Sequence, residues 1–186
     1  MSRFSHLATQ LAPFGQLQPQ VSSHWRGDFP LPQTLIDFYQ QVGPNNLQLS
    51  CDELVEMPSL ARLWDYQAGY RWHGRSGEAI NSWLPNWLVI ADNNADPIVF
   101  DLNTEQILFD IHGGEWHFQR LAIDLATALG AFATMAQAIA ECDADEYWDD
   151  DECCYTQPAL DYRFTKLSEF LGGHQAASDF LNVLAW

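Results

Sequence analysis

Asp92, Asn94 and Asp96 alternate within ADNNADPIVFDLNTEQILFD, residues 91 to 110, and so offer oxygen at the first, third and fifth places of a loop. Calcium loops use that spacing, but they also need glycine at the sixth place and a bidentate glutamate at the twelfth. Here those places hold Pro97 and Asn103, and strand-like residues follow instead of a helix. The stretch therefore reads as turns between strands. His112, Glu115 and His117 in HGGEWH are the second candidate, for zinc. Paired glycines forbid the helix that would set such side chains on one face, and the spacing matches neither H-E-x-x-H nor H-x-x-E-H. An ordinary loop is the simpler reading. No P-loop, G-x-S-x-G or G-x-G-x-x-G occurs, and in so acidic a chain no carboxylate pair stands out for acid/base work. We therefore expect no catalytic residue, no metal and no cofactor. The four cysteines (Cys51, Cys142, Cys153 and Cys154) contain no C-x-x-C pair and read as reduced thiols.

Chemistry of recognition is better represented. Eight Lys plus Arg against 25 Asp plus Glu give a net charge of −17. Such a field repels nucleic acid and anionic lipid and attracts basic partners. Eight acids and no base lie in ECDADEYWDDDE, residues 141 to 152. A solvated loop would explain that run. Aromatic rings among acids also suit a basic, partly apolar surface. Asp145, Glu146, Tyr147, Trp148, Asp149, Asp150 and Asp151 are therefore the candidate partner-binding residues. A secondary candidate surface is Arg71, Trp72, Arg75 and Trp83, in YRWHGRSGEAINSWLPNW. Its rings and guanidiniums could stack on a sugar or a partner, or simply pack, and Trp87 is expected to be buried.

These residues must be carried by a core, and 47% hydrophobic with 13% aromatic residues suffices for one. Residues 4 to 11 space Phe4, Leu7, Ala8 and Leu11 as a helix; residues 32 to 42 do so with Leu35, Phe38, Tyr39 and Val42, between an early proline and Gly43. LQLSCDELVEM, 47 to 57, suggests one or two short strands, and residues 59 to 70 a helix bearing Leu60, Leu63 and Trp64. From 87 to 111 the period changes to two: WLVI, PIVFDL and QILFDI predict a three-stranded antiparallel meander, with Ile98, Phe100 and Leu102 on one face and Ile107, Phe109 and Ile111 likewise. A helix starts after Asp124, a good N-cap residue, with Leu125, Leu129, Phe132, Ala136 and Ile139 toward the sheet. Leu160, Phe164, Leu167 and Leu171 mark another helix, and Ala176, Phe180 and Leu184 a last one. The fold expected is a single α+β domain over residues 1 to 186, mainly antiparallel sheet with a central meander at about 87–111, packed by helices on one side and with extra helices at the C-terminus.

Three of these segments, LPQTLIDFYQQVGP, NWLVIADNNADPIVFDLNTEQILF and IDLATALGAFATMAQAI, resemble in this order the SUKH superfamily of Smi/Knr-like proteins. The likeness covers about residues 30 to 140, leaving an acidic insert at 141–154 and a C-terminal helical extension at 158–186. It departs from the family pattern at Ala95 and at Thr104–Glu105, where glycine is usual; a left-handed Glu105 would cost roughly 1 kcal/mol. The resemblance implies binding without chemistry: most bacterial members look like immunity proteins that block a toxin, often a nuclease, in the cytoplasm. The expected role is thus a cytoplasmic immunity protein occluding a basic toxin domain, with no direct contact to nucleic acid. A glycan- or cell-wall-associated binding protein using the Trp/Arg cluster is the alternative, and a metal-dependent enzyme the third reading. No run of eighteen apolar residues is present to span a membrane, and MSRFSHLATQLAPFGQ does not read as a signal peptide.

Overall fold

Period-two alternation of apolar residues produces β5 (Trp87–Asn93), β6 (Asp96–Asp101) and β7 (Ile107–Phe109). The computed structural model that shows this describes residues 4–51, 53–142, 148–149 and 154–186. Strands β3 (Leu47–Ser50), β4 (Leu54–Met57) and β8 (Gln119–Ala122) extend the meander to six antiparallel strands in chain order, β3 to β8. Two ribbons stand apart: β1 (Gln16–Leu17) with β2 (Pro44–Asn45), and β9 (Trp148–Asp149) with β10 (Cys154–Tyr155).

One face of the sheet points Leu47, Leu49, Val55, Leu88, Ile98, Phe100 and Phe109 into the main core. Helices α1 (Ser5–Leu11), α2 (Gln33–Gln41), α3 (Leu125–Glu141), α4 (Gln157–Leu171) and α5 (His174–Leu184) close that core with Leu7, Phe38, Phe132, Leu167 and Phe180. Each such side chain, fully buried, contributes roughly 1.5–3 kcal/mol. The C-terminal helices therefore belong to the single α+β unit. Asp124 caps α3 by accepting from Thr127 N–H at 2.8 Å. Gly43 ends the α2 segment at φ +60°, where an added Cβ would stand 1.9 Å from the Gln18 carbonyl oxygen, so only glycine fits.

Among the described residues no α-helix takes part in the cluster on the other face. Val89 and Val99 meet Tyr70 and Trp83, with Tyr66, Trp87, Leu108, Trp116 and Phe118 packed around them. Residues 59 to 70 are part of this coat, and here the expected helix is absent: they form turns and a 3₁₀ stub, Asp65–Gln67. Remote side chains take the place of the helical ladder. Leu60 N–H bonds Gln20 Oε1 at 2.7 Å, and the buried Gln67 amide bonds both the N–H and the C=O of Val89, at 3.0 and 2.8 Å. Leu60 and Leu63 still reach the core.

Other expectations shift by a residue or two. Strand β7 stops at Phe109, so Ile111 is 55% exposed, and Leu102, past the end of β6, is half-buried. Trp87, expected inside, is half-buried at the start of β5. On α5 the buried stripe is Ala177, Phe180, Leu181 and Leu184, which leaves Ala176 in solvent. On α4 it is Ala159, Arg163 and Leu167, with Phe164 and Leu171 flanking and Leu160 half-buried.

Candidate functional site

The acidic run starts where α3 ends, and that end is pinned. Glu141 accepts from Tyr162 Oη of α4 at 2.8 Å and from Gln137 Nε2 at 3.0 Å. The Tyr162 bond, then the Gln137 bond, holds the Glu141 carboxyl below the usual carboxylate range. The Lys166 ammonium lies over the Tyr162 ring, 5.3 Å from its centre. A charged carboxylate is thus fixed at the threshold of the run.

Beyond it, β9 and β10 pair Trp148 with Tyr155 and Asp149 with Cys154. The Trp148 ring is 39% exposed and meets Tyr155 edge-on, with centroids 5.3 Å apart. An exposed indole held by a second ring loses little rotamer freedom on binding, which is the usual character of an interface anchor. Asp145, Glu146, Tyr147, Asp150 and Asp151 lie outside the described residues.

The secondary surface is divided between two aromatic groups. Trp83 is buried in the outer-face coat, its Nε1 donating to Trp87 O at 2.9 Å. Trp72 meets Trp64 at a tilt, with ring centroids 4.8 Å apart, in a half-buried group with Trp25 and Phe29. Arg71 lies over Phe29 and Trp64, 5.3 and 5.7 Å from the ring centres, and donates to Pro85 O. Burial of this guanidinium lowers its pKa, an effect that nearby Asp28 opposes. Arg75 is exposed in the following turn. Of the four residues Trp83 is buried, Arg71 and Trp72 are half-buried and Arg75 alone is fully exposed.

No family model, curated protein or solved structure matches the chain.

In the opening stretch the oxygens diverge. Asp92 accepts from Tyr66 Oη and from Ala95 N–H, Asn94 Nδ2 donates to Glu53, and Asp96 accepts from His112 N–H. Among the described residues no group of three or more His, Cys, Asp or Glu side chains is arranged to hold a metal. His112, Glu115 and His117 sit exposed in a loop. Cys51, Cys142 and Cys154 stand as thiols.

A second acidic patch escaped the sequence reading. Glu56 stands directly opposite Asp92 across β4 and β5, and the bond from Asn94 draws in Glu53. Like charges paired across strands destabilise a sheet unless something cationic meets them. The signal was missed because these acids are some forty positions apart in the chain. Burial, and then the bond to Asp92, raises the Tyr66 phenol far above its ordinary value, so it stays a donor.

Proposed function

We propose that the chain binds a basic protein partner and acts by occlusion, as an immunity protein neutralising a toxin domain would. The observation that carries this reading is Trp148, exposed and braced by Tyr155 inside a stretch of eight acids without a base. Acids at long range speed encounter, whereas a buried aromatic slows escape. Eight cations stand against 25 acids, and three of the eight are engaged within the molecule. Arg163 is buried and donates to Cys51 O, Arg71 is stacked, and Arg62 is held by Asn46 at 2.8 Å. If the partner is a nuclease, carboxylates here would occupy the place of its phosphates. Among the described residues no helix is long and apolar enough to cross a membrane. The glycan reading is weaker, because Trp83 of its proposed surface is buried.

The test uses the product of the adjoining coding sequence as the partner in surface plasmon resonance. Association should slow steeply with added salt and with Asp149→Asn, Asp150→Asn and Asp151→Asn combined. Trp148→Ala should chiefly speed dissociation. Kinetics unchanged in both variants would remove the acidic stretch from the reading.

A further inference from the structure

The spatial order of the sheet ends at β3, and the phase of its hydrogen bonds settles what the open edge presents. Cys51 N–H bonds Glu53 O across the β3–β4 turn, so Leu49 and Leu47 form the bonded pairs with Val55 and Met57. The N–H and C=O of Gln48 and Ser50 therefore point away from β4. Among the described residues none hydrogen-bonds to those groups. The side chains of Gln48 and Ser50 lie on the outer face, where Gln48 meets Glu56.

This edge lacks the usual defences. LQLS contains no charge and no proline, and its pairing with β4 runs without a bulge. At the opposite margin β8 carries exposed Arg120 and a register shift against β7. Beside β3 lies a groove of about 340 Å³, where Phe14, Ile139, Ala140 and Cys142 face Gln48 and Ser50. An edge strand flanked by an apolar cleft under a helix is the arrangement that captures extended peptides by strand addition. The exposed charge beside it is mainly acidic: Glu56 lies next to Gln48 on the outer face, and Glu141 closes α3 where the acidic run begins, whereas Arg163 is buried against Cys51 O and Lys166 lies over the Tyr162 ring.

We propose that β3 receives an extended basic segment of the partner as a seventh antiparallel strand, a mode of binding that rests on the basic-partner reading above. Alternate apolar side chains of that segment enter the groove between β3 and α3. The residues between them bond Gln48 and Ser50 through their backbone and direct lysine or arginine over the outer face toward Glu56. This geometry makes a selective demand: only the amides of the basic residues face β3.

The probe is a capped peptide of four lysine–valine repeats, followed by NMR on the full chain at low salt. Hydrogen exchange at the Gln48 and Ser50 amides should slow by roughly tenfold or more when the peptide binds. N-methylating its lysine amides should abolish that protection, and N-methylating its valine amides should leave it. Ser50→Pro removes one outward donor without touching the β4 ladder, and Ala140→Lys places a like charge in the groove; each should weaken binding. Binding that ignores lysine methylation, or that leaves both amides unprotected, overturns the edge proposal while the basic-partner reading stands. A threonine–valine peptide protecting the same amides equally well would instead sink the basic requirement. Protection that rises with protein concentration and no peptide would give the edge to a second copy, and overturn the proposal.

Discussion

Replacing Ala95 with glycine should stabilise this protein, although it removes an atom and adds no contact. Asn94 and Ala95 are the two central residues of the β5–β6 hairpin, with Asn93 paired to Asp96. Both have positive φ, +50° and +75°, as the primed two-residue turn requires. Asparagine tolerates that region, whereas alanine loses roughly 1–2 kcal/mol through its Cβ. Glycine returns roughly 0.4–1 kcal/mol of this through the greater freedom of the unfolded chain. Ala95 is exposed, so no packing is lost, and its carbonyl keeps the bond from Tyr70 Oη at 2.7 Å. The net gain is about 0.5–1 kcal/mol, or roughly 1–4 °C in melting temperature for a chain of this length. Glu105 supplies the control. Its φ is +58°, but its carboxylate accepts from Thr34 Oγ1 at 2.7 Å. Glu105→Gly should therefore relieve similar strain, lose a bond worth about 1 kcal/mol, and come out near neutral. Urea unfolding of both variants, with unchanged m-values, measures the difference. An Ala95→Gly protein no more stable than its parent would show that this turn carries no strain, and the reasoning would fail.

Three further outcomes can be checked by unfolding experiments. Gly43→Ala should cost more than about 2 kcal/mol, because the new Cβ meets backbone oxygens of Gln18 and Tyr39 at a left-handed position. Gln67→Leu should cost roughly 3 kcal/mol, since it strands the buried N–H and C=O of Val89, each worth about 1–3 kcal/mol. Burial tends to raise the Asp101 carboxyl, but bonds from Asn86, the Asn103 N–H and Thr104 outweigh it and hold its pKa below the usual carboxylate value. A depressed folded-state value means that stability from this group is present above its unfolded-state pKa and disappears as pH falls through the folded-state value. Wild type should therefore lead Asp101→Asn at neutral pH and converge with it in acid; a constant gap would refute the assignment.

The elements that could be read from the sequence are those whose causes are local. Proline and Gly43 bracket α2, Asp124 caps α3, and period-two runs mark β5 to β7, each within a window of a few residues. The coat over the outer face was illegible because its conformation depends on partners far away in the chain. Gln20 reaches Leu60, and Gln67 reaches Val89, where the β5–β6 register shifts. Helical spacing of Leu60, Leu63 and Trp64 is real, yet those bonds outcompete the helix. In the candidate site the acidic run could be read directly, whereas the bracing of Trp148 by Tyr155 needed the β9–β10 pairing. The open edge of β3 was invisible, since no residue type announces which strand lies outermost.

The layered division of the aromatic residues has a spectroscopic consequence. Of the eight tryptophans, Trp64, Trp72, Trp83, Trp87 and Trp116 lie in the outer coat or the aromatic group beside it, whereas Trp186 packs on Phe132 of the main core, and among the described residues no α-helix contains a tryptophan. Indole fluorescence therefore reports chiefly on the coat, while far-ultraviolet circular dichroism reports on the helical side of the sheet. A single cooperative unit gives superimposable melting curves by the two methods. A coat that lifts first, with its side-chain-to-backbone ties, separates them, with fluorescence leading.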